Sequence, residues 1–204
     1  MRTEPVLVAE TIACVRGGRR VFAGVSFALG RGGAVQVEGA NGAGKSSLLR
    51  VLGGLLAPAA GTLNNPFGVA WCGAGETLKA GRTLRSELGY WARLDGAGAA
   101  AVDDSLAAFD LAGLAELPVD VLSSGQRRRA ALARVHASAA DLWLLDEPGV
   151  GLDTASLARL ADAIRAHRAR GGLVVAATHA GLGIDAPQVL RLGDSTSAAQ
   201  QAAC

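Results

Sequence analysis

The chain has 204 residues, 28 of them glycine, with half of its residues apolar and a formal net charge of +2, a length that suits one α/β domain with room for a small inserted subdomain. Its positive charge is weak and spread along the chain, so nucleic acid is not expected as a partner. The longest uncharged stretch, residues 51–75, carries Pro58, Gly61, Asn64, Asn65 and Pro66, which excludes a lipid-exposed helix there.

Cys14, Cys72 and Cys204 have no metal-ligand spacing and read as reduced thiols. The opening Met-Arg-Thr-Glu-Pro has no signal-peptide apolar run, so the chain is expected to stay in the cytoplasm.

Residues 6–15 and 21–29 are rich in Val, Ile and Phe and flank Arg16-Gly17-Gly18-Arg19-Arg20, the pattern of two antiparallel strands joined by a turn. A buried strand at 34–38 then runs into Gly39-Ala40-Asn41-Gly42-Ala43-Gly44-Lys45-Ser46-Ser47 and a helix over about 45–55 with Leu48, Leu49, Leu52 and Leu55. Glycines at 39, 42 and 44 let the backbone turn its N–H groups toward an anion, and the helix adds the positive end of its dipole. In such a Gly-x4-Gly-Lys-Ser loop Lys45 supplies a charge to the β- and γ-phosphates and Ser46 a hydroxyl to Mg²⁺. The chain has only two lysines, Lys45 and Lys79, against eighteen arginines. A compact ammonium suits a tight phosphate loop where a planar guanidinium does not.

Residues 58–66 are expected to form a loop and 67–72 a strand. From Arg82 to about Leu114 the pattern is helical, with Leu84, Leu88 and Trp91 on one face, and the stretch of about 75–137 reads as a helical insertion between two α/β halves. Tyr90 and Trp91 fit a core or a partner-docking surface, the core being the commoner use of aromatics at helical spacing. Leu122-Ser123-Ser124-Gly125-Gln126 opens a helix through about His136, with Ser123 or Ser124 as N-cap, and offers a second potential anion site. Arg127–Arg129 on that helix read as a solvated face.

The apolar run Leu142–Leu145 ends in Asp146-Glu147-Pro148, placing two carboxylates at a strand's carboxyl end, where parallel sheets gather function. Asp146 suits Mg²⁺ and Glu147 the polarisation of an attacking water. After Gly151-Leu152-Asp153 comes a helix from Thr154 that buries Leu157, Leu160, Ala161 and Ile164, then a strand at 173–177 ending in Thr178-His179. His136 and His167 read as structural or exposed, while His179, at a strand end like Asp146, is the histidine expected to reach a γ-phosphate or water. A last strand is expected at about 188–192 and a disordered tail from Asp194 to Cys204.

Taken in order, Gly39–Ser47, Leu122–Gln126, Leu142–Glu147, Gly151–Asp153 and His179 resemble the Walker A, signature, Walker B, D-loop and switch-histidine motifs of an ABC-type ATPase, over roughly residues 6–192. The short single cassette, its Walker A surroundings and the arginines after the signature are most similar to the heme-exporter ATP-binding subunits of bacterial cytochrome c maturation. The resemblance implies a P-loop α/β cassette, a mixed sheet core with an antiparallel β subdomain and an inserted helical subdomain, in a single domain.

It further implies Mg-ATP hydrolysis, with Gly39–Ser47 and Arg16 binding ATP. Ser46 and Asp146 would hold Mg²⁺, Glu147 and His179 would be catalytic, and Asp153 would belong to the D-loop. A second copy would pair head to tail, its Ser123, Ser124, Gly125 and Gln126 closing over the ATP. The helical insertion would grip a membrane permease, placing the chain at the cytoplasmic face of the bacterial inner membrane.

Four departures stand out. Ser124 replaces a glycine, which is tolerated where φ is negative. Ala40 replaces a common proline. Arg16 stands where an adenine-stacking aromatic is usual. Ala74 occupies the position of a Gln or His, with Glu76 nearby. Three alternatives stay open: a soluble non-transport ATPase acting on nucleic acid or ribosomes, the ATP-binding subunit of another small-cassette exporter, and a module that binds ATP without hydrolysing it.

Overall fold

The computed structural model describes residues 5–73, 78–179 and 181–193. The expected strands over 6–15 and 21–29 form β1 (Leu7–Arg16) and β2 (Arg19–Leu29), paired antiparallel through the Gly17-Gly18 turn. After β3 (Ala34–Glu38) comes α1 (Lys45–Leu52), shorter than the expected 45–55 because Gly53 caps it and Gly54 turns out at φ +70°. Leu48, Leu49 and Leu52 are fully buried.

Residues 58–66 are not a plain loop. They contain β4 (Ala60–Asn64), which pairs antiparallel with β1 and completes a three-stranded sheet in the order β2-β1-β4. Gly61 is what permits the approach: a Cβ there would lie 2.3 Å from Glu10 O, and its φ is +79°. Four of the five β4 residues are exposed, so this edge strand carries no apolar alternation for sequence to display.

β5 (Val69–Cys72) leads into the helical insertion, which divides at Gly96 (φ +78°) into α2 (Leu84–Leu94) and α3 (Ala99–Ala108), followed by 3-10 turns at Ala112–Leu114 and Val119–Val121. α4 (Ser124–His136), β6 (Leu142–Asp146), α5 (Thr154–Ala169), β7 (Leu173–Ala177) and β8 (Gln188–Arg191) follow. The expected tail at 194–204 lies outside the described residues.

The five-stranded sheet runs β5-β6-β7-β3-β8, and each of its strand pairs is parallel. Its two faces feed two apolar clusters, because alternate side chains of a strand point opposite ways. Leu142 and Leu144 join Val35, Val37, Val175, α1 and the antiparallel sheet, while Trp143 and Leu145 join Val174, Ala176 and the buried faces of α2 to α5. In α5 the buried stripe is Ser156, Leu160, Ala163, Ile164 and His167; Leu157 and Ala161 are only half-buried, so the stripe is turned from the expected one.

The aromatics and histidines of this face are largely structural. His167 stacks on Trp143 with ring centroids 4.0 Å apart, and its Nε2 lies 3.0 Å from Asp141 O. His136 pairs its Nδ1 with Ser105 Oγ at 2.7 Å. Trp91 donates to Glu87 Oε1 at 2.9 Å beneath the Arg134 guanidinium, whereas Tyr90 is exposed. Among the described residues no helix is long and apolar enough to cross a membrane.

Candidate functional site

Since β3, β6 and β7 run parallel in matched register, Val37 beside Ala177 and Ala177 beside Asp146, their carboxyl ends deliver three loops to one edge. β3 opens into the glycine loop, β6 into Glu147 and β7 into His179. These expected residues therefore converge from positions far apart in sequence.

The loop's shape depends on glycine. At Gly39 (φ +147°) a Cβ would meet Leu192 O at 2.5 Å, and at Gly44 (φ +101°) it would meet Val21 Cγ1 at 2.5 Å. Gly44 is the N-cap of α1 and has no side chain to bond the first-turn N–H groups, and that turn has no acidic residue. The amides of Lys45, Ser46 and Ser47 are thereby left for an external acceptor.

A cavity of about 340 Å³ stands over this turn, lined by Ala40, Asn41, Gly42, Gly44, Lys45, Ser46, Ser47, Asp146, Glu147 and, from β2, Val21. Lys45 is buried (7% exposed) and donates from Nζ to Gly39 O at 2.8 Å, so its stem arches back over the loop. The same Nζ lies 2.6 Å from His179 Nε2 and 3.6 Å from Glu147 Oε1. His179 Nε2 is also 2.9 Å from Asn41 Oδ1 and 3.4 Å from Glu147 Oε1.

Gly39 and Ala43 frame the loop without lining the cavity. Arg16 is exposed at the end of β1 and lies outside the lining, where Val21 stands instead.

Asp146 is buried and Ser46 opens the first turn of α1, giving the cavity two hard oxygen donors. Among the described residues no group of three or more His, Cys, Asp or Glu side chains could hold a metal by itself. That donor set suits Mg²⁺, which takes few protein ligands and keeps waters and substrate phosphates for its remaining positions.

The helix start at Ser123 forms as expected and stands apart from the cavity. Ser123 caps α4 by accepting from Gln126 N at 3.2 Å while Gln126 Oε1 accepts from Ser123 N at 2.8 Å. Ser123 and Ser124 are exposed, and Ser124, the first helical residue, is not among the residues with positive φ, so it is accommodated without strain. Gly125 faces Gly151 O, 3.8 Å from where its Cβ would be. Asp153 caps α5 by accepting from Ser156 N at 2.8 Å, and that bond holds its carboxyl below the usual carboxylate range. Ala74 and Glu76 lie outside the described residues.

The expected solvated face at Arg127–Arg129 is not what forms. Arg128 is half-buried and reaches from α4 to the ends of two strands, donating to Gly73 O at 2.8 Å, Asp146 O at 3.2 Å and Glu147 O at 2.6 Å. Arg129 donates to Phe109 O at 2.8 Å and Asp110 O at 2.9 Å. Both serve backbone carbonyls, whose positions a charge pattern does not disclose. Arg128 and Val21 are the site residues that sequence reading passed over. The triple arginine was the only visible signal of the first, and nothing marked the second.

Residues 22–150 match the sequence profile of the ABC transporter family. A cytochrome c biogenesis ATP-binding export protein CcmA of Sphingopyxis alaskensis is 49% identical over 179 residues, covering 88% of this chain and 92% of that protein. Its counterpart in Rhodospirillum rubrum is 47% identical over 199 residues, covering 92% and 85%. In solved structures, the fold is matched by an ATP-binding subunit of an ABC transporter with a TM-score of 0.82 at 22% identity, covering 92% of this chain and 86% of that one. With this cassette fold, a glycine loop and carboxylates on one sheet edge, and relatives of that closeness, the chain belongs to the ABC transporter family of ATPases, among the cytochrome c biogenesis ATP-binding export proteins.

Proposed function

We propose that this chain binds Mg-ATP in the cavity over α1 and hydrolyses it as the motor subunit of a membrane complex for heme export in cytochrome c maturation. The observation that carries the reading is the convergence of Lys45, Asp146 and Glu147 on one cavity beside an uncapped helix start, with His179 outside the lining but in contact with Lys45 and Glu147. The amides of Gly42 and of Gly44 to Ser47 and the Lys45 ammonium hold the β- and γ-phosphates. Ser46 and Asp146 hold Mg²⁺, which when bound neutralises charge developing on the phosphate oxygens. Glu147 takes a proton from the attacking water, and His179, within reach of the same carboxylate, contacts the γ-phosphate. Val21, which lines the cavity from β2, is the apolar side chain offered to the base, while Arg16 lies outside the lining.

Support for a second copy comes from α4, whose exposed start at Ser123 and Ser124 lies outside its own chain's cavity. Paired head to tail, Ser123, Ser124, Gly125 and Gln126 of each copy close over the other's ATP, with Asp153 at the seam. A permease completes the assembly through the helical insertion, at the cytoplasmic face of the inner membrane.

The test is Mg-ATPase activity of the chain purified with its membrane partner: turnover that disappears in Lys45→Ala supports the reading, and its absence from the wild type ends it. Co-purification with RNA or DNA and without a membrane protein would favour a soluble non-transport ATPase.

A further inference from the structure

Glu147 is one of four described non-glycine residues with positive φ, at +47°. Left-handed backbone is disfavoured for a residue with a Cβ and persists where surrounding contacts over-determine it. Three contacts do so here. Glu147 N donates to Ala177 O at 2.8 Å, and Glu147 O accepts from Val150 N at 3.2 Å and from Arg128 Nη2 at 2.6 Å.

Arg128 contributes more than that bond. The β5–β6 register ends at Cys72 and Leu145, and beyond it the carbonyls of Gly73 and Asp146 turn to the guanidinium as well. Nε reaches Pro148 O at 3.4 Å and Nη1 reaches Cys72 Sγ at 3.7 Å. Nε and Nη2 thus engage the segment that presents Glu147, and Nη1 anchors the fork to the end of β5. A guanidinium is always charged and presents its donors in one plane, so it holds several carbonyls in fixed relation.

We propose that Arg128 is a positioning residue for ATP hydrolysis, fixing the left-handed turn at Glu147 so that its carboxylate faces the cavity. This rests on the ATPase reading above. The clamp also ties the orientation of Glu147 to that of α4, the helix whose first turn carries Ser124 and Gly125.

The test uses the full chain with Arg128→Ala and Arg128→Lys, and reads backbone amide exchange together with steady-state kinetics. Removing the fork should raise exchange at the Glu147 and Val150 amides at least tenfold with little change in α1. It should also lower kcat at least tenfold while KM and ATP affinity stay within twofold. Millimolar guanidinium should restore part of the Arg128→Ala turnover, and Arg128→Lys should fall between the two.

Unchanged exchange at 147–150 would overturn the proposal, as would a kcat loss matched by KM and insensitive to guanidinium. A wild type without hydrolysis would end the ATPase reading, while the exchange measurement would still decide whether Arg128 fixes Glu147. Should Arg128→Ala fail to fold, Arg128→Lys carries the same measurements.

Discussion

Lys45 Nζ and His179 Nε2 meet at 2.6 Å although 134 residues separate them in the chain. An ammonium can only donate, so this contact requires Nε2 to accept. Asn41 Oδ1, 2.9 Å from the same nitrogen, requires it to donate. One ring nitrogen therefore faces two partners with opposite demands, with Glu147 Oε1 a further 3.4 Å away. His179→Ala should lower kcat at least tenfold while ATP affinity changes less than threefold, measured by phosphate release and nucleotide titration.

Lys45→Ala removes the cavity's only ammonium among its lining residues. ATP affinity should fall at least tenfold and Mg-ATPase activity should drop to background, with ADP affinity weakened in parallel because the β-phosphate loses the same charge. Equal affinities for wild type and variant would remove Lys45 from the phosphate site.

Glu147→Gln keeps the size of the side chain and its left-handed backbone contacts but takes away the base. Turnover should slow by more than tenfold with ATP binding preserved. Turnover equal to wild type would show that another group accepts the proton.

At Gly44 a Cβ would sit 2.5 Å from Val21 Cγ1 at a φ of +101°. Gly44→Ala should strain the loop by about 1–3 kcal/mol, lower the melting temperature and weaken ATP binding at least tenfold. Gly181, where a Cβ would meet nothing within 4 Å, is the contrasting site: Gly181→Ala should leave ATP affinity unchanged.

Burial lowers the pKa of His167 from 6.5 to about 4, and burial also lowers that of His136. The folded state keeps these rings neutral while the unfolded state takes up protons first as the pH falls. Their contribution is therefore complete above pH 6.5 and is lost progressively as the pH falls toward 4, with a full loss for His167 on the order of 3 kcal/mol. His167→Phe retains an aromatic ring against Trp143 and cannot titrate. Its stability, followed by urea unfolding between pH 7 and 4, should fall less steeply than that of the wild type.

Much of the site was legible because its chemistry is local. Gly39 to Ser47 form loop and helix start within nine consecutive residues, and Ser123 and Asp153 cap helices through amides three residues on. The strand ends at Asp146 and His179 were legible too, since a parallel sheet sends its carboxyl ends one way. What sequence alone determined, then, was which residue types gather at the loop and the strand ends and in what order.

Only the tertiary structure decided that β4 joins β1, because an exposed edge strand is specified by its neighbour's backbone and not by its own apolar pattern. It alone turned Arg128 from a solvated cation into a clamp on Glu147. The oxygen partners of Arg128 are main-chain carbonyls 18 to 55 residues away, and every residue type carries the same carbonyl, so no side-chain pattern could have marked them.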